Sequence, residues 1–163
     1  MNNERLELIN SVIRYDPDTG KFFWKKRTGG SSIAGNEASG TTDCRGYVRI
    51  GVLGCIYKAH RLAMFITYGK FPDMEIDHIN GNKADNRISN LREASRVKNQ
   101  QNQISAYKSN STGLLGVSQH KPGVWRARLC VSGKNKSLGL FSSPELAHEA
   151  YKEAKRVFHE GCT

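Results

Sequence analysis

Four side chains between positions 77 and 99 are of the types that phosphodiester hydrolysis can use. Asp77 and His78 are adjacent, and Asn90 and Asn99 follow His78 by 12 and 21 residues. Such a reaction needs a base for water and a divalent cation to stabilise charge on the phosphate and the leaving oxygen. A neutral imidazole titrates near working pH and is a suitable base. Hard cations such as Mg²⁺ take oxygen ligands and keep several waters, so one carboxylate and one amide oxygen can suffice. Adjacent side chains of a strand point to opposite faces, so Asp77 and His78 cannot do the same job. The natural split puts Asp77 on the metal and His78 on the water. Asn99, at the start of the following helical stretch, can supply the second oxygen, with Asn102 as the alternative. Asn90 can tie down the intervening loop through side chain–backbone hydrogen bonds.

The elements that must position these residues are legible as patterns. Asn2 or Asn3 can cap a first helix, with Leu6, Ile9, Val12 and Ile13 at helical spacing. The run Asp16-Pro17-Asp18-Thr19-Gly20 reads as a turn before a short aromatic strand, Lys21 to Lys25. Residues 28–42 read as loop, and Tyr47–Val52 with Cys55–Tyr57 as a hairpin. His60 to Tyr68 suits a short buried helix closed by Gly69. His60 itself reads either as a half-buried histidine or, with Arg61, as a group near the phosphate. A strand over Glu75–Ile79, a polar loop over Asn80–Arg87 and a helix after Ser95 to about Ser105 would carry the four residues. The stretch Ala106 to Thr112 is small and polar, a linker candidate. Beyond it, three strands (115–119, 124–131 and 136–141) and a helix starting at Pro144 form a βββα pattern, with Ala147, Ala150, Tyr151, Ala154 and Phe158 as the apolar stripe.

The run from Glu75 to Arg92 resembles the HNH endonuclease motif, in the form found in phage homing endonucleases. The resemblance implies a two-stranded ribbon and a helix clasping one metal ion, the ββα-metal fold. It makes His78 the general base, Asp77 a metal ligand, Asn90 the loop-bracing residue and Asn99 the second metal ligand. The last position is His in the name-giving pattern and Asn here, which favours Mg²⁺ or Mn²⁺ over zinc. Tyr15–Gly20, Phe23-Trp24, Gly46-Tyr47 and His60–Ala63 are similar to the N-terminal part of these phage proteins. Gly116-Val117, Trp125–Ala127, Leu138-Gly139, Phe141 and Ala147–Tyr151 resemble the Apetala-two type DNA-binding domain, whose sheet lies on DNA. A phage origin, a homing-type role and action in the bacterial cytoplasm are what the resemblance implies.

Charge points the same way. The 163 residues carry a net charge of +10, and nine Lys/Arg against four Glu fall in residues 108–163, so about a third of the chain holds half of it. Arg126, Arg128, Lys134 and Lys136 lie in the strands and turn there, and with Arg61 they are the expected DNA contacts. Cys44, Cys55, Cys130 and Cys162 form no C-x-x-C pair, so neither structural zinc nor a disulfide scaffold is expected, and a reducing compartment fits. No apolar run is long enough for a membrane span, and the polar Met1–Arg5 start is unlike a secretory signal. The expected architecture is α+β. A nuclease unit over 1–105 is followed by a linker at 106–111, then by a three-stranded antiparallel sheet packed on one helix over 112–163. The expected function is metal-dependent cleavage of double-stranded DNA by a monomer or homodimer, one strand nicked per site. The alternative is a non-catalytic DNA-binding regulator that keeps the fold.

Overall fold

Leu6, Ile9 and Val12 share one face of α1 (Asn3–Val12). The computed structural model describes residues 3–30, 32–103, 106 and 110–159. Ile13 continues the apolar stripe of α1 in sequence but opens a strand instead. There β1 (Ile13–Asp16) pairs antiparallel with β2 (Lys21–Trp24). Backbone pairing with Phe22 and Trp24 outweighs the one extra helical position that the spacing suggested. The turn between them closes with Gly20 N–H donating to Asp16 O at 2.9 Å, while Asp16 Oδ2 accepts from Thr19 Oγ1 at 2.8 Å.

A three-stranded sheet follows, in the order β3 (Thr41–Thr42), β4 (Val48–Val52), β5 (Cys55–Lys58). Leu53 and Gly54 form its two-residue turn, both at positive φ (52° and 74°), the twist that suits a tight hairpin. The chain then enters α2 (Ala59–Tyr68), which Gly69 ends in the left-handed conformation, its N–H bonded to Phe65 O at 2.9 Å. A second two-stranded ribbon joins β6 (Glu75–His78) to β7 (Leu91–Ala94), with a single 3₁₀ turn at Ile88–Asn90 before β7. The sequence pattern does not reveal β7. The helix expected from Ser95 to about Ser105 is α3 (Arg96–Gln101), and residues 104 and 105 lie outside the described residues.

One core holds these elements. Ile9, Ile13, Val52, Leu62 and Phe65 are its largest fully buried side chains, and Phe65 stacks on Phe71 with ring centroids 4.0 Å apart. Burying a side chain of this size is worth roughly 1.5–3 kcal/mol. Ile76 of β6 and Leu91 of β7 reach the same cluster, which fixes the ribbon to α2 and the hairpins.

The chain divides by contacts into residues 1–99 and 100–163. The expected linker at 106–111 falls beyond that division, and its residues 107–109 lie outside the described residues. In the second unit β8 (Val117–Lys121), β9 (Val124–Val131) and β10 (Lys134–Phe141) form an antiparallel sheet with β9 central. Helix α4 (Pro144–Phe158) packs on it. Ser143 caps the helix, its Oγ accepting from Leu146 N–H at 3.2 Å, with Pro144 in the first turn. Trp125, Leu138 and Phe141 pack around Val117, Ala127 and Ala147. A Cβ at Gly116 would overlap the Tyr151 ring, so α4 comes down on the backbone itself there.

The register divides the four cations expected to contact DNA in this unit between the two faces of the sheet. Arg126 and Arg128 alternate with buried Ala127 and Leu129, so they sit on the side away from α4. Lys136 is opposite Leu129 and its ammonium lies 3.9 Å from the Phe158 ring centroid, which puts it on the helix side. Lys134 is opposite Val131, two positions along on that same side. A bulge between Ser137 and Gly139 separates this pairing from the rest of the sheet. The open face thus carries Arg126, hydrogen-bonded to His120, and Arg128.

Among the described residues no helix is long and apolar enough to cross a membrane. Cys44, Cys55 and Cys130 are exposed free thiols, and Cys162 lies outside the described residues.

Candidate active site

The β6–β7 ribbon, the loop between its strands and α3 bring the four residues of the sequence motif to one region. Strand alternation separates Asp77 from His78. Asp77 lies across from Arg92, which holds its Oδ2 through Nε at 2.9 Å and Nη2 at 2.8 Å. His78 turns to the other face, against Tyr47 and His60 with ring centroids 6.0 and 5.1 Å away. Both are almost fully enclosed, at 4% and 3% exposure.

The loop fixes the imidazole. Asn86 Nδ2 donates to Ala84 O at 3.0 Å, so its Oδ1 is the atom that faces His78 Nε2, at 3.4 Å. That orientation favours a proton on Nε2 and leaves the lone pair on Nδ1. Burial pushes the His78 pKa below its ordinary value, and Asn86, Asp77 and Asp85 oppose that shift. At neutral pH the ring is therefore neutral. Asn90 braces the loop from inside: its Oδ1 accepts from Asn80 N–H at 2.9 Å and its Nδ2 donates to Asp85 O at 2.8 Å. Asp85 is clasped by Arg87 and Asn80, and these bonds hold its pKa down to about 2.

The β1–β2 turn buttresses the same loop. Tyr15 Oη donates to Asn86 O at 2.7 Å and Ile88 N–H to Pro17 O at 3.1 Å. A Cβ on Gly20 (φ +72°) would sit 2.5 Å from Arg87 N, so only glycine permits this approach.

Asn99 lies against β6, its Nδ2 donating to Glu75 Oε2 at 2.9 Å. Glu75 and Asp77, two positions apart, share one face of the strand. Asn102 falls in the second unit. Among the described residues no three His, Cys, Asp or Glu gather as a metal-binding group. The donors present are carboxylate and amide oxygens, a set that fits a hard cation of the Mg²⁺ or Mn²⁺ kind, with Arg92 as the cation that now meets Asp77. Arg61 braces the entry to β6, donating to Pro72 O at 2.9 Å and Met74 O at 3.5 Å.

His60 is buried at 4% exposure, and its Nδ1 has no hydrogen-bond partner among the described residues. Burial drives its pKa to about 3, helped by His78, Lys58 and Arg61 and opposed by Asp43. Above pH about 6.5 this ring is neutral whether the chain is folded or not, and folding stability is independent of pH at this site. Below it the unfolded chain takes up a proton that the folded chain refuses, so stability falls by about 1.4 kcal/mol per pH unit until pH about 3. His78 adds to the same trend. Urea melts between pH 7 and about pH 4 are expected to show this loss, and His60→Phe to show a shallower one. An equal slope in the variant would remove His60 as its source.

Sequence reasoning gave Arg92 and Glu75 no role, quoted Tyr47 only within the hairpin and the resemblance, and placed Asn86 only in the polar loop. For Arg92 the missing signal was β7, whose pairing with β6 sets it across from Asp77.

Residues 57–101 match the profile of the HNH endonuclease family. No curated protein matches the chain. A solved structure of the HNH homing endonuclease I-HmuI, concerned with its DNA binding and cleavage, aligns over 92% of this chain and 88% of that one, at 21% identity and a TM-score of 0.46. The segment similar to HNH endonucleases is thus the one that carries Asp77, His78, Asn90 and Asn99.

Proposed function

We propose that this chain is a metal-dependent DNA endonuclease that hydrolyses phosphodiester bonds in double-stranded DNA. The observation that carries the reading is the placement of a buried, neutral His78 and the carboxylate of Asp77 on opposite faces of one strand, inside the HNH-like segment. His78 Nδ1 accepts the proton of the attacking water, and Asn86 keeps Nε2 protonated meanwhile. Asp77 and Asn99 would hold a Mg²⁺ or Mn²⁺ ion, which when bound stabilises charge on the scissile phosphate and the leaving oxygen. Asn90 acts by holding the loop. The second unit contributes DNA affinity through Arg126 and Arg128 on its open sheet face. One such site per chain nicks one strand, and two chains would cut both.

The Arg92–Asp77 ion pair favours a second reading, a non-catalytic DNA-binding protein whose metal position is filled by a side chain. One experiment separates the two. Supercoiled plasmid and a randomised duplex library are incubated with the protein and Mg²⁺, Mn²⁺ or EDTA. The endonuclease converts plasmid to open circles with metal and leaves it intact with EDTA. DNA binding without metal-dependent cleavage of either substrate supports the second reading.

A further inference from the structure

Two ammonium groups meet at one aromatic ring beside the candidate base. Lys58 Nζ lies 4.6 Å and Lys83 Nζ 4.9 Å from the Tyr47 ring centroid, so the two are no farther apart than the sum of those distances. They come from different elements, the end of β5 and the loop after β6, and both side chains are exposed. The same ring packs against His60 at 5.1 Å and His78 at 6.0 Å. Arg49 is opposite Lys58 in the β4–β5 register and adds charge to that face. Lys83 also donates to Arg45 O at 3.0 Å, which ties the β6 loop to the turn before β4.

The acids near this group are already engaged. Asp43 accepts from the N–H groups of Arg45 and Tyr47 at 2.9 and 3.0 Å. Glu75 and Asp77 also act on Tyr47, and they bond Asn99 and Arg92. Cation–π attraction at an exposed site is worth only about 0.5–1 kcal/mol. The Tyr47 backbone N–H, and with it the charges of Arg49 and Lys58, help hold the Asp43 carboxyl below its usual range, so one carboxylate of the chain offsets part of this cluster, and Lys58, Lys83 and Arg49 together still outnumber it.

We propose that Lys58 and Lys83, gathered at Tyr47, form a subsite for backbone phosphates of the DNA strand next to the bond that His78 addresses. The inference rests on the endonuclease reading and names where that site grips its substrate.

The test is anisotropy of a labelled random-sequence duplex, in EDTA, over a series of salt concentrations. Each of Lys58→Gln and Lys83→Gln is expected to lower the slope of log affinity against log salt by about 0.9, and the double variant by about 1.8. By the same relation each loses roughly eightfold in affinity at 0.1 M salt. Lys21→Gln, whose ammonium pairs with Glu37, serves as the control and keeps the wild-type slope. Unchanged slope and affinity in the double variant overturn the subsite while leaving the endonuclease reading intact, and so does an equal drop in the control. Absence of DNA binding by the wild-type chain would instead overturn the endonuclease reading itself. Thermal midpoints equal to wild type show that the variants fold.

Discussion

His78→Ala is expected to lower the rate of plasmid cleavage by roughly 10²–10⁴-fold, the usual contribution of a positioned general base. Affinity for DNA in EDTA should stay at the wild-type value, because the ring is enclosed at 3% exposure and uncharged at neutral pH. The substitution also empties space beside His60 and Tyr47, so a loss of rate alone could reflect loosened packing. His78→Gln fills most of that volume and removes the imidazole. Loss of cleavage in both variants, with thermal midpoints close to wild type for the second, assigns the effect to the base. A wild-type rate in either variant would move the base elsewhere.

Asp77→Ala should act on both chemistry and stability. Its carboxylate is proposed to hold the metal ion, and it is the group that pairs Arg92. Breaking a buried ion pair by removing one partner costs about 3–5 kcal/mol, because the other charge is left without compensation. The Arg92 side chain keeps 24% of its exposure, so the cost here should fall at or below about 3 kcal/mol. The double variant Asp77→Ala/Arg92→Leu removes both charges and should recover most of the stability in a urea melt. It should not recover cleavage, and calorimetric titration with Mn²⁺ should show binding lost in both variants. Cleavage restored along with stability would make Asp77 a structural partner of Arg92 and nothing more.

The two variants probe opposite faces of one strand, and that separation follows from the strand period of two. Asp77, His78, Asn90 and Asn99 were legible because their types and spacing lie within one short stretch. The polar loop was legible too, since Asn and Asp bond their own backbone nearby, as Asn82 and Ala84 N–H groups do with Asn80 and Asn82. So were α2, the β4–β5 hairpin, β9 and α4, where periodicity, a turn glycine or a capping serine acts locally.

Other features came from pairing at a distance. Leu91-Arg92-Glu93-Ala94 contains no β-branched or aromatic residue and becomes a strand only because β6 lies beside it. Ile13 leaves the helix for the same reason, drawn into register with Trp24. The side of the sheet on which Lys136 falls depends on its pairing with Leu129 in a neighbouring strand, next to a bulge that no single-strand alternation contains.

By itself the sequence determined the chemical types at the candidate site, the element that bears Asp77 and His78, and the loop that Asn90 braces. Tertiary structure alone decided that Arg92 meets Asp77, that Asn86 orients His78, and that Tyr47 collects Lys58 and Lys83. Helical and strand periods and turn chemistry act over a few residues, where side-chain identity suffices. Contacts between side chains of separate elements depend on how those elements bury their apolar faces together, and a burial pattern shared by β4, α2 and β6 is a property of the whole core.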